Sequence, residues 1–254
     1  MSSSDVNRET TCKSALSSSS LSDTELSLNP YAGCGHGCYY CYAPYVTHRS
    51  MSPRAKVNIA DVLRRELKSG KAYHRTVALS TVTDPYQPLE REYELTKRCL
   101  IELLNYNAYV SVQTKSSLVL RDVDIIKRFE RREVGFTITS LEPFYEPHAD
   151  PTEKRIETLK ELKKEGIRTF IFIGPVMPEF TLQNELFERI KEAEPDYVVV
   201  DRLRIKKGME EKIKEIYGKD FSSSELETAA ERARDLCAAH GLNLVRQPLW
   251  KPHL

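Results

Sequence analysis

Three of the six cysteines, Cys34, Cys38 and Cys41, fall within eight residues of the stretch "NPYAGCGHGCYYCYAPY". Thiolates grouped this closely in a reducing compartment bind metal and do not form disulfides. A structural zinc takes four protein ligands, and so does a closed iron–sulfur cluster. Three thiols are therefore either completed by a neighbour or leave one metal position open for chemistry. His36 is the neighbour that would complete a Cys3His zinc site, but it lies between two of the ligands and the backbone would have to double back for it. Zinc ligands usually come in separated pairs, and His48, His74, His148, His240 and His253 have no pair spacing. The other reading is a 4Fe–4S cluster on three thiolates, its fourth iron open to an outside ligand.

Loops that hold such a site need a frame. The chain has 254 residues and a formal net charge of +1, enough for one substantial domain and no sign of a general polyanion binder. No run is apolar enough to span a membrane and the N-terminus lacks a signal-peptide core, so a cytoplasmic protein is expected. Residues 1–25 are polar and serine-rich and read as a disordered leader; residues 26–254 read as one domain, with a helical and strand extension from about 204.

Within that domain, β-branched runs alternate with helical periodicity. Thr76–Val82, Ala108–Thr114, Val134–Ser140, Arg168–Gly174 and Tyr197–Asp201 read as buried strands, and "LSLNPY" before Cys34 as a first one. Asn58, Asp150 with Pro151, Thr181 and Ser222 with Glu225 read as helix starts, and Gly166 as a helix stop. Alternation of this kind gives a parallel sheet with helical crossovers, and no glycine-rich phosphate loop follows any strand. The strand ends are polar (Ser80 to Asp84, Gln113 to Ser116, Thr139 and Ser140, Asp201 and Arg202), and the cysteines follow the first strand at that same end. In a barrel this is where active sites are built.

The Cys-x3-Cys-x2-Cys spacing with Tyr40 before the last cysteine resembles the signature of the radical S-adenosylmethionine (SAM) superfamily. Together with "STVTDPYQPLE", "TKSSLVLRD" and "EPHADPTEKRIETLKELKKEGI", it resembles the spore photoproduct lyase-like branch, over roughly residues 13–178. The resemblance implies an α/β fold, a partial (βα)6 barrel of TIM type with parallel strands and the helices outside. It also implies a 4Fe–4S cluster on Cys34, Cys38 and Cys41. SAM would be the missing ligand, cleaved reductively to a 5′-deoxyadenosyl radical that takes hydrogen from a substrate. By position, Tyr40 would lie near the adenine and Ser80 and Thr81 near the methionyl amino group. Lys115 would face the carboxylate, Thr139 or Ser140 a ribose oxygen, and Gly174, Pro175 and Val176 the adenine edge. The Gly-Gly-Glu-Pro of many members is missing at the second strand end, and Asp84 before Pro85 is either a contact or a turn residue. Arg155 reads as part of a solvated helix face; Glu142 and Asp201 with Arg202 are further polar candidates.

The same resemblance implies a reductant of flavodoxin or ferredoxin type and a lyase- or repair-like reaction, with a nucleic acid or nucleotide as one substrate class and a protein, peptide or small metabolite as the other. Cys12 and Cys237 are the candidate hydrogen-donor thiols, although Cys237, like Cys99, has the spacing of a core residue. Three scattered cysteines do not make a second cluster. Basic and aromatic residues after 204, including Trp250, suit a nucleic acid or an ordinary surface. A monomer is expected.

Overall fold

The apolar runs become the strands of one eight-stranded sheet in a computed structural model that describes residues 8–18, 25–47 and 52–245. In chain order the strands are β1 (Glu9–Thr10), β2 (Leu16–Ser18), β3 (Leu26–Leu28), β4 (Tyr31–Ala32), β5 (Arg54–Lys56) and β6 (Thr76–Leu79). They continue as β7 (Tyr109–Thr114), β8 (Arg132–Thr137), β9 (Arg168–Val176), β10 (Tyr197–Arg202) and β11 (Leu244–Val245). The helices are α1 (Ala43–Thr47), α2 (Ile59–Leu67), α3 (Glu90–Tyr93), α4 (Leu95–Leu104), α5 (Val123–Ile126), α6 (Thr152–Lys164), α7 (Asn184–Glu192), α8 (Glu210–Tyr217) and α9 (Ser223–Ala239). The large sheet runs β2-β3-β6-β7-β8-β9-β10-β11, parallel throughout except for β2 against β3. Six successive βα strands, β3 and β6 to β10, make the partial (βα)6 barrel, and β2 and β11 extend its two edges.

Both faces of these strands are covered, which is why their sequences are continuously apolar. Val77, Val112, Phe136, Ile171 and Val198 pack outward into the main core with the helices. Ala78, Phe170, Tyr197 and Val199 form a separate group on the other face, inside the barrel. There the Phe170 ring stacks on Tyr197 at 5.1 Å, in the space a Cβ at residue 135 would occupy, only 2.3 Å from that ring. Position 135 is glycine for that reason. Beside it, Glu133 accepts hydrogen bonds from Ser111 (2.8 Å) and the Tyr197 hydroxyl (3.0 Å).

Several local expectations are corrected. Residues 8–18 are built into the body and are not a loose leader: β1 pairs with β5, β2 extends the large sheet, and the Glu66 carboxylate accepts from the Ser14 hydroxyl and the Ala15 and Leu16 amides. The rest of that leader, 1–7 and 19–24, and the tail with Trp250 lie outside the described residues. Asn58 does precede α2, but its side chain bonds the Cys12 backbone in both directions and leaves the helix uncapped. Asp150 accepts from Ser117 N at 2.5 Å, so Pro151 stands at the start of α6 without a side-chain cap. Thr181 is buried against the end of β8 and α7 starts three residues later, at Asn184. The Ser222–Glu225 capping box of α9 is present as read.

Candidate active site

The cysteines lie on the loop between β4 and α1, above the carboxyl end of the barrel. Gly33 and Gly37, at φ +73° and +67°, let the loop turn tightly within the stretch that carries the three thiols. Cys38 is nearly buried, and Cys34 and Cys41 are half-buried. Among the described residues no three His, Cys, Asp or Glu side chains are grouped closely enough to hold one metal ion. His36 faces other partners. Its Nδ1 hydrogen-bonds the His148 carbonyl at 3.0 Å, and its Nε2 faces an Asp84 carboxylate oxygen at 3.2 Å, an ion-pair distance without hydrogen-bond alignment.

The segment "DPYQP" grips this loop. Gln87 donates to the Gly33 carbonyl (3.1 Å) and accepts from Gly35 N (2.9 Å). Pro88 packs so close to Gly35 that a Cβ there would sit 3.1 Å from it. Asp84 does two things at once. Oδ1 accepts from Tyr86 N (2.8 Å), closing its own turn, and from Thr114 Oγ1 (2.7 Å); Oδ2 accepts from Lys115 N (2.8 Å) and faces His36. Burial alone would raise the pKa of Asp84, but His36, Thr114 and Lys115 hold it down to about 2.

A second buried carboxylate stands on the other side of the cysteines. Glu146 accepts from the Tyr40 hydroxyl and from Thr139 Oγ1 (3.2 Å), and pairs with Arg155 at 2.5 Å. Arg155 is completely buried, contrary to the solvated helix face its neighbours suggest, and also donates to the Asp150 (2.7 Å) and Thr137 (2.9 Å) carbonyls. Burial works against the charge on Glu146, but Arg155 and Lys115 overcome it and its pKa falls below the usual range. Lys115 is half-buried with its ammonium 5.8 Å over the Tyr40 ring. Burial disfavours its charge, yet Cys38, Glu146 and Asp84 more than offset that and raise its pKa. Burial pushes the Cys38 thiol up to about 12 despite Lys115, and Cys34 is raised by burial and then by Asp84, so metal must displace protons to bind here.

A family model described as the Radical SAM superfamily matches residues 28–190. The chain belongs to that superfamily. An uncharacterized protein of Methanocaldococcus jannaschii is 35% identical over 162 residues, 60% of each chain. A radical SAM Nalpha-GlyT isomerase of Pseudomonas phage M6 is 25% identical, with 67% of this chain and 38% of that one covered. The chain thus spans about 60% of the length of the archaeal relative. Among solved structures, a mutant of spore photoproduct lyase superposes with a TM-score of 0.72 at 14% identity, over 92% of this chain and 79% of that one. The same enzyme complexed with dinucleoside spore photoproduct gives 0.69 at 15%, over 90% and 77%. At such identities the likeness is one of fold.

Radical SAM proteins use a 4Fe–4S cluster and SAM, and this donor set fits both. Among the described residues no fourth side chain completes the three thiols, and His36 is turned toward His148 and Asp84. Ser80 Oγ and Thr83 Oγ1 are buried without a hydrogen-bond partner among the described residues. Ser80 is also held at φ +65°, a backbone conformation uncommon outside glycine. Of the other expected contacts, Thr81 and Thr139 are tied to the cysteine loop. Tyr42, next to Cys41, donates to the Thr81 carbonyl at 3.3 Å, and Thr81 Oγ1 lies 2.8 Å from Ser27 Oγ. Thr139 and Ser140 are buried at the end of β8. Gly174, Pro175 and Val176 end β9, but it is the next residue, Met177, that joins Cys38, Tyr40 and Tyr145 in one apolar cluster. Cys237 is fully buried in the main core, its thiol pushed up to about 12 by burial, and Cys12 packs against that core. Neither belongs to the cluster around Cys38 and Tyr40.

Proposed function

We propose that the chain is a cytosolic radical SAM enzyme of lyase- or repair-like chemistry acting on a nucleotide or nucleic acid. When bound and reduced, the cluster and SAM supply a 5′-deoxyadenosyl radical that abstracts a substrate hydrogen; a flavodoxin- or ferredoxin-type protein is the expected electron source. Cys34, Cys38 and Cys41 hold three irons. The unpartnered Ser80 hydroxyl, with Thr81, receives the ammonium of SAM. Lys115, kept charged by its buried acids, binds the carboxylate. Tyr40 is fixed through Glu146 so that its ring borders the adenine together with Gly174 to Val176, and Thr139 or Ser140 meets the ribose.

The observation that supports the substrate class is a groove of about 420 Å³ at the end of β10. Arg202, Arg204, Lys206 and Phe221 line it with Glu210 and Asp220, Arg202 being paired with Glu227 and Arg204 with Asp201. Cations beside an aromatic ring suit a phosphate with its base. The dinucleoside spore photoproduct bound by spore photoproduct lyase is of this substrate class.

The test is to reconstitute the protein anaerobically, reduce it, and measure 5′-deoxyadenosine with and without oligonucleotides carrying damaged or modified bases. A slow basal release that rises with one oligonucleotide, together with affinity that weakens steeply with salt, is expected. Release unaffected by any nucleic acid, with salt-independent weak binding, would move the substrate to a peptide or metabolite.

A further inference from the structure

The Asp84 carboxylate touches three separate parts of the chain without touching a thiol. It meets His36 from the cysteine loop, Tyr86 N from its own turn, and Thr114 and Lys115 from the end of β7, all between 2.7 and 3.2 Å. Both partners are sealed: Asp84 is 6% exposed and His36 3%. His36 then continues to the His148 carbonyl, on the β8–α6 connection. A single chain of polar contacts thus runs from the end of β7 through Asp84 and His36 to the connection after β8, and it passes through the middle of Cys-x3-Cys.

A structural carboxylate in a turn needs only its own turn amide. This one is also aimed at the residue between two cluster ligands and at the amide of the lysine beside them. We propose that Asp84 and His36 are positioning residues: they preset the cysteine loop for cluster uptake and hold it in register with Lys115, so that cluster and SAM sites form as one unit. The loop is tied to the body by side chains other than its thiols. It does not depend on Asp84 alone, since Gln87 ties Gly33 and Gly35 from the same segment. His36 is the part of the linkage that reaches both neighbouring strand ends.

The inference rests on the cluster and SAM of the superfamily, and its test uses full-length protein. Asp84→Asn, His36→Leu and His36→Gln are each reconstituted beside the wild-type chain. Iron and sulfide per chain and thermal midpoint are measured, and reduced EPR spectra are recorded with and without SAM. Groups that orient metal-bound residues typically cost roughly 10- to 100-fold in metal affinity when removed, and a loss of that order is expected for Asp84→Asn and His36→Leu. In the molecules that still load, the SAM-induced change in the EPR signal is expected to be lost or weakened. His36→Gln places an amide N–H where Nε2 faced the carboxylate, and is expected to restore loading and most of the SAM response. That rescue separates positioning from stability, because leucine fills the buried space at least as well as glutamine.

Wild-type loading and EPR response in the two substituted chains, Asp84→Asn and His36→Leu, would overturn the proposal. So would a glutamine variant as defective as the leucine variant at an unchanged thermal midpoint. If Asp84→Asn fails to fold, the His36 pair decides. The wild-type chain carries the cluster in every arm, so a defect confined to the variants bears on positioning and not on the cofactor.

Discussion

A carboxylate as deeply buried as Asp84 stays ionised only because four groups from different segments point at it, and this has a consequence in acid. Its folded pKa, about 2, lies below the ordinary 3.8, so its contribution is complete above the ordinary value and is lost as pH falls toward 2. The difference corresponds to about 2 kcal/mol. Denaturant unfolding of wild type and Asp84→Asn is expected to show a stability gap that is constant near neutrality and narrows by that amount on going to pH ~2. A gap independent of pH would mean that the charge does not matter. The thiols give a plainer prediction: Cys34→Ala, Cys38→Ala or Cys41→Ala each leaves a two-thiolate loop, and iron per chain is expected to collapse while the far-UV circular dichroism is retained. At this scale the cysteines were legible because their spacing is local. Asp84 was legible only as an even choice, and His36 only as a candidate ligand, because their partners are 48 and 112 residues away in the chain.

The connection between β8 and α6 shows the same limit for whole elements. Its strand and helix were legible from periodicity, and so were their boundaries to within a few residues. That Arg155 faces inward was not, because a charged residue among charged neighbours carries no periodic signal of a buried ion pair. The pair with Glu146 is enclosed on both sides, and removing one partner leaves the other charged and buried, at a typical cost of about 3–5 kcal/mol. Arg155→Met is therefore expected to be more destabilising than the double variant Arg155→Met with Glu146→Leu, in which neither charge of the pair is stranded; additive losses in the cycle would count against the pair. The strand level of Phe170 makes a complementary prediction. Gly135→Ala forces a Cβ into that ring and is expected to cost about 1–3 kcal/mol as overpacking. Phe170→Leu, costly by itself, is expected to recover part of that loss when combined with it, a coupling that thermal or denaturant unfolding reads directly.

At the scale of the molecule, the barrel leaves an edge open at β3 and fills it with β2, from a segment whose composition reads as disordered. Serine-rich composition predicts little burial, yet Ala15 and Leu16 are 7% and 2% exposed, because Glu66 fixes their amides and Leu16 completes the core beside β3. The segment also bounds the site. A cavity of about 240 Å³ has Ser14 to Ser17 on one wall and Cys34 and Cys41 on another. On that side of the cysteines the cavity is bounded by this strap. A chain lacking residues 1–18 loses both functions together. Its β3 edge is left without a partner, which favours association between sheets. The apolar area released lowers the thermal midpoint, by several degrees per kcal/mol at most for a domain of this size. The cavity wall is removed as well, so the visible absorbance of a reconstituted cluster is expected to bleach faster in air. Glu66→Ala separates the two effects, since it keeps every residue of the strap and loosens it only at Ser14 to Leu16. It is expected to speed bleaching while leaving the protein monodisperse. Equal bleaching rates in wild type, Glu66→Ala and the truncated chain would show that oxygen reaches the cluster by another face.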